Sequence, residues 1–316
     1  MVDLMSKFQL TIVALVCILL PFSILQSAEQ SDGKLQKVKI ANSKSASTQL
    51  APTKTLKKHL NPKRLYLRSS TALILDQREG VVLYDKEVDK EMPIASVSKL
   101  MTAMVILDAK LNMNERIRIK RKDRDRLRGS KSRLSYGTIL TRRDLLKITL
   151  MASDNRASKA LSRTYPGGRK AFISAMNKKA KVLQMLHTKF KDESGLHSGN
   201  ISTARDLVKL VTAASKYKLI GDLTSTGKSY VTDLRSGWKV EFFNTNRLVR
   251  RKNWDISLSK TGYIADSGHC LVMETTISNR PVIIVLLNSW GKLSKFGDSN
   301  RIKRWIQRAE KRVAAI

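Results

Sequence analysis

Cysteine is almost missing from this chain: Cys17 and Cys270 are the only two in 316 residues. Cys17 lies in an apolar N-terminal stretch. If that stretch is cleaved, Cys270 stands alone and no intrachain disulfide can form. Histidine is scarce too, and His59, His187, His197 and His269 show no metal-ligand spacing, so no metal or other cofactor is expected. Zinc-finger spacing, a glycine-rich phosphate loop and an aromatic RNA-binding pattern are all missing, as is any internal repeat. Acidic residues are outnumbered 26 to 60 by lysine and arginine, a formal net charge of +34. Such a surplus favours polyanions: nucleic acid, anionic lipid or an acidic envelope polymer.

What is present begins with an export signal. Lys7 precedes an apolar run over residues 8–20, Pro21 follows, and Ser27-Ala28 closes the segment with small residues. Residues 1–28 therefore read as a cleaved signal peptide, the rival being an uncleaved anchor. Export argues against nucleic acid as the partner and is compatible with a bacterial periplasm, where disulfides are permitted but not required. Residues 29–65 are rich in Ser, Thr and Lys and poor in large apolar side chains, which predicts a flexible basic tether. An apolar content of 42% then leaves residues 66–316 as one folded domain.

The chain is organised around residues 93–107, where Ser96 and Lys99 stand one helical turn apart at the start of a long apolar helix. Residues three apart share a helix face, so the Lys99 amine can reach the Ser96 hydroxyl. A serine hydroxyl is a weak nucleophile until a neighbour takes its proton, and an amine in apolar surroundings has its pKa lowered toward that task. Ser96 is thus the candidate nucleophile and Lys99 its base. Ser-x-x-Lys also occurs from Ser31, Ser215, Ser225, Ser236, Ser257 and Ser289; the leading Pro93-Ile94-Ala95 and the apolar run single out Ser96.

Strands are predicted over 70–76 and 81–85, joined as a hairpin, with a short one at 115–120 and a loop over 134–141. Helices follow over 142–151, 156–165, 168–183 and 203–215. Residues 230–234, 239–243, 257–262, 270–277 and 282–288 read as strands, and 300–314 as a closing basic helix. Early strands, a helical middle, late strands and a last helix fit an α+β domain whose chain ends share one sheet.

Two further motifs complete an ordered set. Ser153-Asp154-Asn155 follows the 142–151 helix, and Lys260-Thr261-Gly262 ends a late strand. Ser198-Gly199-Asn200 is a competing Ser-x-Asn match, in a polar loop with no helix leading into it. In the favoured set Ser153 relays a proton to a leaving amine and Asn155 faces the substrate amide. Lys260 supplies positive charge and Thr261 a hydroxyl for a substrate carboxylate, while the N–H of Tyr263 joins that of Ser96 as an oxyanion donor.

With these motifs, residues 93–111, 165–181, 202–210, 242–249, 253–262 and 268–273 resemble D-alanyl-D-alanine endopeptidases of the penicillin-binding protein 7/8 type. The resemblance implies a β-lactamase/transpeptidase-like fold, a five-stranded antiparallel sheet flanked by helices with a helical lobe beside the site. It implies periplasmic cleavage of D-alanyl-diaminopimelate cross-links in peptidoglycan, through an acyl-enzyme that β-lactams trap. The basic charge is heavier than the resemblance leads one to expect. Three other readings stay open: a D,D-carboxypeptidase; a β-lactamase using Glu193 as second base; and a non-catalytic wall-binding protein, against which the full set of motif residues argues.

Overall fold

The computed structural model describes residues 50–316; the expected signal peptide and residues 29–49 of the expected tether lie outside the described residues. The chain opens with α1 (Thr53–His59), the hairpin β1 (Ser69–Asp76) and β2 (Val81–Lys86), the short β3 (Met92–Pro93) and α2 (Lys99–Asp108). Then come β4 (Arg116–Arg118), β5 (Ile139–Thr141), α3 (Arg142–Met151), α4 (Asn155–Arg163), α5 (Gly168–Val182), β6 (Ile201–Ser202), α6 (Ala204–Ala214) and α7 (Lys218–Ser225). The last third holds β7 (Lys228–Thr232), β8 (Lys239–Phe243), β9 (Asp255–Ile264), β10 (Gly268–Ile277), β11 (Arg280–Ser289) and α8 (Ser294–Val313).

Five strands form one antiparallel sheet in the order β2-β1-β11-β10-β9. Its centre is β11, whose apolar run from Val282 to Leu287 is wholly buried, as befits a strand covered on both faces. Side chains alternate between two cores. Ile283, Val285 and Leu287 join α2 and the helical lobe, whereas Val282, Ile284 and Leu286 join α1 and α8. β9 is left as an edge, and that edge borders the site. α2 is apolar on every side, with residues from Lys99 to Ile106 all buried, so it runs through the lobe's core rather than across its surface.

Five expectations are corrected. Residues 53–65, assigned to the tether, belong to the folded domain. Leu56 is fully buried against α8, and Arg280 donates to Ala51 O at 2.8 Å and Thr53 Oγ1 at 3.0 Å while pairing with Asp76 and Glu310. Burying Leu56 contributes about 2 kcal/mol, a gain that a seven-residue lysine-rich helix does not advertise. Among the described residues the strands at 228–232 and 239–243 pair only with each other, outside the main sheet. The loop over 134–141 ends in β5, which pairs with β4. α8 begins at Ser294, six residues earlier than expected, and α7 had no counterpart in the sequence reading.

Candidate active site

Ser96 sits in a 3-10 turn, Ala95–Ser98, that leads directly into α2. Ala95 has φ +46°, a left-handed conformation costly to a side chain with a Cβ. Packing from three directions holds it. Ile94 N–H donates to Asn200 O at 3.0 Å, Asn200 Nδ2 donates to Ser98 Oγ at 2.9 Å, and β3 pairs with β6. Asn200 itself is fully buried, so Ser198-Gly199-Asn200 fixes the turn from behind.

Lys99 Nζ makes three contacts: Ser96 Oγ at 2.8 Å, Asn155 Oδ1 at 2.7 Å and Ser194 O at 2.6 Å. A charged ammonium would use all three protons there. A neutral amine has two, enough for the amide oxygen and the carbonyl, and turns its lone pair to the Ser96 hydroxyl. Burial lowers the Lys99 pKa to about 8, against the opposing pull of Asp192, Asp154, Glu193 and Asp125. The local environment thus brings the base form close to neutral pH.

The Ser153-Asp154-Asn155 segment is the joint between α3 and α4. Ser153 adopts φ +60°, and Asp154 caps α4 by accepting from Ala157 N–H at 2.8 Å. That cap sets Asn155 at the first turn of α4, where Nδ2 donates to Ser130 Oγ at 2.8 Å and Oδ1 meets Lys99.

On the opposite wall, edge strand β9 brings Thr261, Gly262 and Tyr263. A Cβ on Gly262 would stand 2.9 Å from Ile94 O and 3.1 Å from Ser96 N, so only glycine lets the strand pass this close to the serine turn. Thr261 Oγ1 donates to Thr245 Oγ1 at 2.7 Å, and the exposed Tyr263 stacks on His269. Lys260 departs from the sequence expectation. It is buried rather than lining the cleft, its Nζ donates to Thr261 O at 3.0 Å, and burial together with Lys99 pushes its pKa well below the ordinary lysine value.

Ser96, Ser153, Asn155, Thr261, Gly262 and Tyr263 line one cleft of about 730 Å³, which Arg247, Arg250, Lys292 and Lys295 also line, with no lining carboxylate among the described residues. The cleft is therefore suited to an anionic substrate. Lys295 is also shifted down to about 8 by burial. Among the described residues no three His, Cys, Asp or Glu side chains gather as a metal site.

Several contributors escaped the sequence reading. The Asp192 carboxylate accepts N–H bonds from Ser194 at 2.6 Å, Gly195 at 2.5 Å and His197 at 2.6 Å, winding residues 192–197 into the loop that presents Ser194 O to Lys99. Gly195 in that loop has φ +79° and packs directly on Ala95 O. The only available signal was an Asp-x-x-Gly turn pattern, which is common. Glu193, the candidate second base, does not line the cleft; its buried carboxylate faces Arg169 at 2.9 Å and Lys159 at 3.7 Å.

Residues 57–291 match the protein family described as D-alanyl-D-alanine carboxypeptidase. A D-alanyl-D-alanine endopeptidase of Pseudomonas aeruginosa is 43% identical over 255 residues, spanning 81% of this chain and 82% of the relative. Its Escherichia coli namesake is 44% identical over 241 residues, spanning 76% and 78%. Among solved structures, the Streptomyces DD-transpeptidase superposes with a TM-score of 0.71 at 26% identity, covering 76% of this chain and 97% of that one. A Listeria monocytogenes penicillin-binding protein with cefotaxime bound gives 0.67 at 28% identity, covering 77% and 98%.

Proposed function

Because this chain belongs to the D-alanyl-D-alanine carboxypeptidase family of serine peptidases, we propose that it is an endopeptidase that hydrolyses D-alanyl-diaminopimelate cross-links of peptidoglycan. The observation that carries this reading is the three-way contact of Lys99 Nζ with Ser96 Oγ, Asn155 Oδ1 and Ser194 O, within a basic cleft. The endopeptidase preference is supported by relatives bearing that name at 43% and 44% identity.

In this mechanism Ser96 Oγ attacks the D-alanyl carbonyl as its proton passes to Lys99 Nζ. The N–H groups of Ser96 and Tyr263 stabilise the oxyanion. Asn155 holds the substrate amide, and Ser153 passes a proton to the departing amine. Thr261 and the cations of the cleft receive the carboxylate beside the scissile bond, with Lys260 supporting the strand from beneath. Water then attacks the acyl-enzyme with Lys99 again as base. A β-lactam acylates Ser96 in the same way, but its leaving nitrogen stays tethered to the acyl group, which blocks the approach of water.

Residues 1–28 act as a cleaved export signal in this proposal, residues 29–49 as the tether, and the peptidase domain begins at α1 in the periplasm. No described helix is long and apolar enough to cross a membrane.

Incubating the purified protein with cross-linked muropeptides, followed by chromatography and mass spectrometry, is expected to turn dimers into monomers, and benzylpenicillin to stop it. Loss of one terminal alanine with the dimers intact would replace this reading by carboxypeptidase. The base assignment has its own signature. Acylation by benzylpenicillin requires neutral Lys99, so its rate is expected to rise about tenfold per pH unit below pH 7 and to level off above the Lys99 pKa of about 8. A flat stopped-flow profile between pH 6 and 9 would remove Lys99 from that role.

A further inference from the structure

α8 carries a ridge of arginines that the cleft does not use. Arg301, Arg304, Arg308 and Arg312 recur every three or four residues, which places them along one side of the helix. With Arg64, from the 3-10 turn after α1, and His59, they line a pocket of about 190 Å³. Its apolar wall includes Trp305, whose Nε1 donates to Asn61 O at 3.0 Å and staples that turn to the helix.

One carboxylate answers five guanidinium groups: the buried Asp298 pairs with Arg301. Among the described residues the side chains of Arg64, Arg304, Arg308 and Arg312 have no hydrogen-bond or ion-pair partner, and Arg301 Nε is buried without one. Like charges stacked at this spacing repel. The helix dipole favours the cations of the last turn, Lys311 and Arg312, but it does not account for Arg301, Arg304 or Arg64. Guanidinium forks converging on one small pocket match the oxygens of phosphate, which accept paired N–H bonds.

The surroundings indicate where such a phosphate would be displayed. Tyr66, next in the chain to Leu65 of the pocket wall, is 74% exposed, and Ile316, four residues after Arg312, is 92% exposed. Lys54, Lys57, Lys58 and Lys63 are exposed on α1 and the turn. Cations interspersed with exposed apolar side chains suit the surface of an anionic bilayer. We propose that this pocket binds the phosphate head group of an anionic lipid, and so holds the enzyme at a membrane surface through a site separate from the catalytic cleft.

The test compares the full chain with Arg304→Gln/Arg308→Gln and, on the other element, Arg64→Gln; all three positions are exposed, and benzylpenicillin acylation is expected to stay unchanged. On phosphatidylcholine vesicles containing phosphatidylglycerol, wild type is expected to bind roughly tenfold or more tightly than either variant. On phosphatidylcholine alone the three proteins should not differ, which cancels any contribution of residues 1–28. Inorganic pyrophosphate should raise the melting temperature of wild type and not of the variants. Equal binding of wild type and variants to the anionic vesicles would overturn the proposal. Pyrophosphate stabilisation without an arginine-dependent difference on vesicles would overturn the lipid assignment in favour of a soluble phosphate.

Discussion

Ser96→Ala is expected to lose the covalent benzylpenicillin adduct altogether and to slow muropeptide cleavage by at least about 10⁴-fold, because no other group replaces a missing nucleophile. The fold should hardly register the change. Ser96 is half-buried, its Oγ hydrogen-bonds among the described residues only with Lys99 Nζ and Ser194 O, and Lys99 keeps two of its three acceptors. A melting temperature within a few degrees of wild type is expected, since substitutions that leave no cavity or stranded charge cost about 1 kcal/mol or less. Intact-protein mass spectrometry after penicillin treatment reads the first outcome and a thermal melt the second. An adduct that survives in Ser96→Ala would move the nucleophile elsewhere, with Ser153 the first hydroxyl to consider.

Gly195→Ala should be the most damaging substitution outside the motif residues. Its Cβ would lie 1.9 Å from Ala95 O and 2.7 Å from Ser96 N, and its φ of +79° is already unfavourable to any side chain. Those neighbours are backbone atoms of a turn that Asn200 and β6 hold from behind, so neither side can yield by rotating a side chain. Gly237 is the control: φ is +74° and, chain neighbours aside, no described atom lies within 4 Å of an added Cβ, so Gly237→Ala should cost only the conformational strain, about 1–2 kcal/mol. Gly195→Ala adds the clash and should lose at least about 3 kcal/mol. In the molecules that still fold, Ser194 O and Ser96 shift relative to Lys99, and displacements of that kind cost about 10²-fold in rate. Urea midpoints at unchanged slope, with acylation rates, measure both effects. Equal costs for the two glycines would mean that the loop does not press on the nucleophile turn.

Much of the site was readable in one dimension because its chemistry is local. Ser96 and Lys99 are a single turn apart, and each motif carries its own backbone cue: a proline before the turn, an N-cap aspartate between Ser153 and Asn155, a glycine after Thr261. The five strands of the main sheet were legible because period-two patterns and continuous apolar runs are set by burial alone. The 228–243 hairpin carries the same pattern, but local pattern cannot say which partner a strand will find, and among the described residues these two found only each other. Residues 53–65 were misassigned for a related reason. Leu56, Leu60 and Leu65 are too few to stand out among lysines, and they gain their value only from α8, more than 200 residues away.

By itself the sequence determined the candidate site residues, the order of the three motifs and the alternation that builds the sheet, since each depends on residues within a few positions of one another. Tertiary structure alone decided the downward pKa shifts of Lys99 and Lys260 and the identity of the groups that press Ser96 into place. Lys99 and Lys260 are ordinary lysines in sequence; burial lowers both, and the charge of Lys99 lowers Lys260 further. Asp192, Gly195 and Asn200 lie about a hundred residues from Ser96, and the short patterns they belong to, Asp-x-x-Gly and Ser-x-Asn, do not point to the serine turn. Their role exists only once the loop closes on the serine turn, because desolvation and steric contact act through space and leave no trace in local spacing.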